Sequence, residues 1–221
     1  MISILIPIYN GIEFIDQSVS SVLNQTFQEW ELIIGVNGHP PDSDVYNIAK
    51  KYEDRSDKIK VLDLHQFHGK ANTLNEMIGH CKYSYVALLD VDDIWENEKL
   101  EVQMIYISDF QYDVVGTKCV YFGDLQGIIP AIPAGDISNH DFKQVNPIIN
   151  SSVVLRKELC HWIENGIEDY ELWLRLRYKA TKNITFFNCN DVMVKHRIHR
   201  ESAFNAKGNG LKVPDLMKDY A

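Results

Sequence analysis

The sequence predicts an α/β fold, a mostly parallel central sheet flanked by helices, and three observations carry that reading. Short apolar runs suited to buried strands recur at residues 2–8, 31–36, 58–64 and 85–89. Stretches with helical spacing of apolar residues separate them, as parallel strands require, because a parallel pair needs a long crossover connection. The fourth run ends directly in Asp90, Asp92 and Asp93, at the carboxyl end of a strand, where open α/β sheets bind ligands.

In chain order, residues 2–8 read as a strand and 11–24 as a helix. On that helix Phe14, Ile15, Ser18, Val19, Val22 and Leu23 form one small or apolar stripe. Strand 31–36, helix 43–53, strand 58–64, helix 70–80 and strand 85–89 continue the alternation. Beyond the acidic run the rhythm changes. A helix at 96–109 precedes a strand at 112–122, and a turn at 123–127 leading into 128–132 predicts an antiparallel hairpin. A strand at 148–155, helices at 157–165 and 169–179, and short strands at 184–187 and 192–197 complete a smaller antiparallel portion. From Glu201 onward Gly208, Asn209, Gly210 and Pro214 break any periodicity. Residues 1–202 are therefore expected to form one domain and 203–221 a flexible tail or linker.

A chain of 221 residues, 45% of them apolar, suffices for one sizeable core. Its formal charge of −9, without a long basic cluster, argues against a nucleic-acid binder. Cys81, Cys119, Cys160 and Cys189 are far apart with no C-x-x-C pair, which indicates buried reduced thiols and neither a zinc knuckle nor a dithiol redox motif. The run 2–8 is too short for a membrane span and has no basic leader, so a soluble, cytoplasmic protein without a transmembrane segment is expected. No G-x-G-x-x-G follows the first strand, and Gly69-Lys70 lacks the flanking residues of a P-loop.

Asp90 and Asp92, oxygen donors two residues apart, suit a hard divalent cation, Mn²⁺ or Mg²⁺. Such an ion would let an acidic chain hold an anionic ligand. Read alone, the triplet serves equally well as a solvated turn in which Asp93 caps the next helix.

Five segments, in order, resemble the family 2 glycosyltransferases, inverting enzymes of the GT-A fold. Residues 4–10 (ILIPIYN) look like that family's opening strand and loop, and 21–27 (SVLNQTF) followed by 31–34 (ELII) are similar to its next helix and strand. Asp90-Val91-Asp92-Asp93-Ile94-Trp95 matches its D-x-D-D-x-W segment. Residues 168–176 (EDYELWLRL) look like its E-D-[YW]-[DE]-L-W-x-R block, and Arg197-Ile198-His199 with Ser202 resembles its late R-x-H segment.

The resemblance implies a metal-dependent transfer of one sugar from a nucleoside-diphosphate sugar, with UDP the expected carrier, to an acceptor hydroxyl in glycan or glycoconjugate synthesis. It implies that Pro7 and Tyr9 line the nucleotide, that Asp90 lies near the ribose or reaches the metal through water, and that Asp92 binds the metal, with His199 a further ligand. Asp169 would be the catalytic base. The segment 69–72 with Asn75, Lys70 included, resembles the part that approaches the donor, and the antiparallel portion would hold the acceptor.

Chemistry supports these roles independently. Expulsion of a diphosphate needs a cation held by carboxylates, and a hydroxyl nucleophile needs a carboxylate to take its proton. Read alone, Glu168-Asp169 would merely cap a helix and His199 would be a surface histidine. One departure concerns the base: where the family commonly has an acidic pair, this chain has Gly35-Val36-Asn37-Gly38-His39, leaving Asn37 to meet a base edge through its amide. A sugar nucleotidyltransferase or a degenerate sugar-nucleotide-binding module are the alternatives, and the former lacks its glycine-rich basic loop between Pro7 and Gly11.

Overall fold

The structure, a computed structural model, describes residues 1–200 and 209–220. Strands β1 (Ile2–Ile8), β2 (Trp30–Asn37), β3 (Ile59–Leu64) and β4 (Tyr85–Leu88) form the parallel half of a nine-stranded sheet. Helices α1 (Ile15–Leu23), α2 (Asp44–Lys50) and α3 (Lys70–His80) make the crossovers. After β4 come the two-residue strand β5 (Ile94–Trp95), α4 (Lys99–Ser108), β6 (Val114–Gly123), β7 (Gly135–Asp136), β8 (Val154–Arg156), α5 (Glu168–Tyr178), β9 (Phe186–Ile198) and α6 (Asn209–Lys218). The sheet order is β3-β2-β1-β4-β8-β6-β9-β5, with β7 beside β9. Strand β8 is antiparallel to both β4 and β6, β5 and β7 are antiparallel to β9, and β6 and β9 run parallel. The mixed sheet expected from the sequence is therefore present.

Strand β1 is buried on both faces, as parallel strands covered by helices must be. Ile2, Ile4, Ile6 and Ile8 pack with Val19 and Val22 of α1 and Leu100 of α4 on one side. Leu5 faces the other side, among Leu74 and Met77 of α3 and Trp173 of α5. All four cysteines are buried and unbridged.

Several expectations are corrected. The 123–132 hairpin is confined to its first pair of bonds, the Tyr121 amide donating to the Ile128 carbonyl at 2.8 Å and the Gly127 amide to the Tyr121 carbonyl at 3.0 Å. Pro130 and Pro133 supply no ladder donors, so the returning segment cannot continue the pairing. The strand expected at 148–155 is a 3-10 turn, Asn150–Ser152, followed by the short β8. The helix expected at 157–165 is reduced to the turn Lys157–Leu159. The two short strands at 184–187 and 192–197 are one strand, β9, whose register against β6 slips around Lys118. The tail reading is corrected for α6: Leu216 and Tyr220 are buried, and the Tyr220 hydroxyl donates to Glu171 at 3.1 Å. Ser202 lies outside the described residues.

Candidate functional site

The carboxyl ends of β1, β2 and β4 open into a cavity of about 500 Å³ lined by Pro7, Tyr9, Asn37, Lys70, Asp90, Asp92 and His199, among others. Residues spread over nearly the whole sequence meet there, because parallel strands all end on one side of the sheet. Asp90 follows β4, with its amide donating to Ser151 Oγ at 3.1 Å. Its carboxylate receives the Lys70 ammonium at 2.5 Å and the Asn150 amide at 3.2 Å on each oxygen. Burial opposes the charge on Asp90, but Lys70 and Asn150 outweigh it and hold the carboxyl below its usual range. Lys70 responds in kind: burial favours its neutral form, yet Asp90 and then Glu168 raise its proton affinity.

Asp92 and His199 come together through β9. Strand β5, directly after the acidic run, pairs antiparallel with β9, which sets 92–93 beside 196–199. His199 Nε2 lies 3.0 Å from Asp92 Oδ2. Burial, then the charges of Asp93 and Asp90, push the Asp92 carboxyl up. Asp93 caps nothing. It is fully buried and accepts from His196 Nδ1 at 2.9 Å and from the Arg197 amide at 2.8 Å. Burial works against a charged His196, but the Asp93 carboxylate prevails and raises the imidazole to about 9. Arg197 Nε in turn donates to the Asp92 carbonyl at 2.8 Å.

At the cavity mouth Tyr9 is 58% exposed, its ring 5.3 Å from that of His39. Gly38 adopts a φ of +71°, and a Cβ there would stand 3.0 Å from the Tyr9 ring, so glycine permits both the turn and the aromatic wall. Asn37, at the end of β2, is buried and lines the same wall.

Asp169 stands in the first turn of α5 and lines a separate cavity of about 390 Å³. Asn146 Nδ2 donates to its Oδ2 at 3.1 Å. Burial and the neighbouring Glu168 raise the Asp169 carboxyl, while Lys70 and Asn146 pull it back, with the net direction upward. The charge of Lys70 thus reaches both the larger cavity and the acid pair.

Asn75 does not line the cavity that holds Asp90 and Asp92. Both ends of its amide are spent on the backbone of Trp162, Nδ2 donating to the carbonyl at 2.8 Å and Oδ1 accepting the amide at 2.9 Å. Glu164 makes a second attachment, accepting from the Ala71 amide at 3.1 Å. A Cβ on Gly69, whose φ is +83°, would collide with that carboxylate at 2.1 Å. The loop before α5 is thereby fastened to the start of α3.

The residues missed in the sequence were Asn146, Asn150, Ser151, Glu164 and His196. Each acts through a contact at least 23 residues away along the chain, which leaves no periodic or spacing signal.

Fold and site together define a glycosyltransferase of the GT-A type. The described chain superimposes on S. aureus TarS in complex with UDP-GlcNAc with a TM-score of 0.76 at 16% identity, covering 98% of this chain and 64% of that one. The mannosyltransferase PcManGT from Pyrobaculum calidifontis, in complex with GDP-Man and Mn²⁺, matches with a TM-score of 0.68 at 13% identity over 91% of this chain and 58% of its own. The chain belongs to glycosyl transferase family 2, whose family model matches residues 3–205. Among its relatives, the O-antigen biosynthesis glycosyltransferase WbnJ of Escherichia coli is 28% identical over 91% of this chain and 81% of its own length. The Escherichia coli UDP-Glc:alpha-D-GlcNAc-diphosphoundecaprenol beta-1,3-glucosyltransferase WfgD is 30% identical over 100% of this chain and 86% of its own. That membership makes the protein a glycosyltransferase rather than a sugar nucleotidyltransferase. No helix among the described residues is long and apolar enough to cross a membrane.

Proposed function

We propose that the protein is an inverting, metal-dependent glycosyltransferase that moves one sugar from a nucleoside-diphosphate sugar, UDP-linked in the first instance, to a hydroxyl of a growing glycan or glycoconjugate. The observation that carries this reading is the gathering of Tyr9, Asn37, Lys70, Asp90, Asp92 and His199 around one cavity, with Asp169 coupled to it through Lys70. The UDP-GlcNAc and GDP-Man complexes of the two structural neighbours and the names of the polysaccharide-building relatives support the donor class and the setting.

Tyr9 offers a ring face to the base and Asn37 an amide to its edge. Lys70 puts a cation beside the diphosphate position while it holds Asp90 ionised. Among the described residues no cluster of three or more His, Cys, Asp or Glu would cage a metal ion. The Asp92–His199 pair nevertheless fits Mn²⁺ or Mg²⁺, because such ions commonly take only one or two protein ligands and complete their shell with substrate phosphates and water. When bound, the cation would neutralise charge on the departing diphosphate. Asp169 receives the proton of the acceptor hydroxyl, and its raised proton affinity makes it the stronger base once it is ionised. A single displacement assisted by one base inverts the donor's anomeric centre.

Asp169→Asn tests the assignment, since it keeps the size and capping capacity of the side chain and removes its basicity. The expected result is a fall in kcat of about 10²- to 10⁴-fold with near-parental donor affinity and melting temperature. Near-parental transfer by the variant, or a product of retained configuration, would overturn the mechanism.

A further inference from the structure

Asp92 and His199 stand 107 residues apart in the chain, so their meeting at one point depends on what holds the acidic run and the end of β9 in register. The contacts that do so converge on one ring. Phe14 closes the 3-10 turn Ile12–Phe14, in the same connection between β1 and α1 that carries Tyr9. Its ring centre lies 4.4 Å from the guanidinium carbon of Arg197 and 5.2 Å from the centre of the His199 imidazole.

Arg197 is the link to Asp92. Its Nε donates to the Asp92 carbonyl at 2.8 Å, and an Nη donates to the Gln17 side chain on α1. Phe122, near the end of β6, brings a second ring centre to 4.2 Å from the same guanidinium. A guanidinium within about 6 Å of a ring centre is attracted to the ring face, and its planarity makes the contact directional as well. Just beyond β6 the Asp124 amide donates to the Ile198 carbonyl at 2.8 Å, which fastens the backbone between Arg197 and His199. Phe14 thus bears on both members of the pair, on the imidazole directly and on Asp92 through the arginine that grips its main-chain oxygen.

The core does not ask for this ring. The apolar stripe read from the sequence put Phe14 with Ile15, Val19 and Val22, yet those three are buried in the core while Phe14 is half-buried and, among the described residues, outside both core clusters. Nor does it line the cavity that Asp92 and His199 share. A ring spent on neither core nor pocket is left to act on the side chains it touches.

Resting on the Asp92–His199 cation reading, we propose that Phe14 is a positioning residue for the divalent-cation site, holding the imidazole of His199 and, through Arg197, the backbone of Asp92 so that an arriving ion meets two ligands already aimed at one place. Groups that orient metal ligands from behind are commonly worth about 10- to 100-fold in metal affinity. A site with two protein ligands has little else to preorganise it.

Mn²⁺ titrations at saturating nucleoside diphosphate, with the tightest binder among UDP, GDP and dTDP and with free Mn²⁺ read by electron paramagnetic resonance, test the proposal. Phe14→Leu keeps an apolar side chain and removes the aromatic face. It is expected to weaken Mn²⁺ about tenfold, with unchanged stoichiometry and an unchanged melting temperature in a chelator. Phe14→Tyr restores the ring and should bind Mn²⁺ as the parent does. Phe122→Leu removes a ring from Arg197 and should cost about threefold, the scale of one partly exposed cation–π contact, and it carries the test should Phe14→Leu not fold. Parental Mn²⁺ affinity in Phe14→Leu or in Phe122→Leu, an equal loss in Phe14→Tyr, or a defect confined to melting temperature or to the fraction of chains that bind would overturn the proposal. Asp92→Ala separates it from the reading on which it rests: parental Mn²⁺ affinity there removes the cation assignment and this inference together, whereas a weakened Asp92→Ala beside an unaltered Phe14→Leu sinks the positioning role alone.

Discussion

Replacing Asp93 with Asn isolates the contact that holds the acidic run against β9. The carboxylate serves His196 and the Arg197 amide at once from a fully buried position. Asparagine keeps an oxygen for Arg197 but offers an amide where a protonated imidazole needs an acceptor. An imidazole held at about 9 against an ordinary 6.5 corresponds to about 3 kcal/mol, at about 1.36 kcal/mol per tenfold change in proton affinity. His196 is 24% exposed, so solvent trims this to about 2–3 kcal/mol. Because the folded value is raised, the stabilisation is fully present below the unfolded value and is lost as pH rises through the folded one. Urea unfolding of parent and Asp93→Asn in the presence of a chelator, from about pH 6 to about pH 9.5, reads it out. Groups that titrate in both proteins cancel in the difference. The gap between the two should be about 2–3 kcal/mol at the acidic end and should shrink by most of that amount at the alkaline end. A gap that stays constant with pH would refute the argument, because it would mean that the loss is one of shape or of the Arg197 contact and not of the ion pair.

Three further outcomes are expected. Donor binding measured by calorimetry should require Mn²⁺ or Mg²⁺ and weaken at least tenfold in Asp92→Ala and in His199→Ala, since each removes one of the two proposed protein ligands; full-strength binding in a chelator would contradict the assignment. Asn37→Asp should reorder the competition among UDP, GDP and dTDP more than it changes kcat, and an unchanged ranking would place Asn37 away from the base. Asp113 accepts from Arg156 Nε at 2.6 Å and from the Thr185 amide and hydroxyl at 3.0 Å, and although burial opposes its charge these donors hold its carboxyl below the ordinary range. Asp113→Ala should therefore cost about 2–4 kcal/mol; the parent's advantage should be complete above pH ~4 and disappear as pH falls through the lowered folded value, and a variant equally stable at neutral pH would remove the claim.

What could be read in advance followed how local each cause is. Strand β1 and helix α3 stood out because alternation and helical spacing are written within a few neighbouring residues. The acidic run pointed to the cavity that Asp90 and Asp92 line because the end of a parallel strand is a fixed address in such sheets. The stretch 148–155 misled because Asn150–Ser152 is turned by distant groups: Trp95 Nε1 donates to the Ser151 carbonyl at 2.7 Å, and Gln103 Nε2 to that of Ser152 at 2.8 Å. Helix α6 was hidden by Gly210 and Pro214, whose unfavourable local preferences are outweighed by burial of Leu216 and Tyr220. Asn75, expected near the donor, instead bonds the Trp162 backbone with both ends of its amide, since residue type announces that an amide will be used but not which way it faces.

The double attachment of the 161–167 loop to α3 has a consequence for how such an enzyme diversifies. Lys70 and the loop that delivers Asp169 ride on one helix, through Asn75 at its middle and Glu164 at its start. On the proposed roles, the spacing between leaving group and base would thus be set by a single stiff element, before any substrate arrives. The walls around Lys143 and Val213 belong to other segments, hung on the outside of that gauge. With Asp169 as the proposed base, substitutions there would retune which hydroxyl is admitted while the reacting atoms kept their separation, so new linkages could be explored without rebuilding the chemistry.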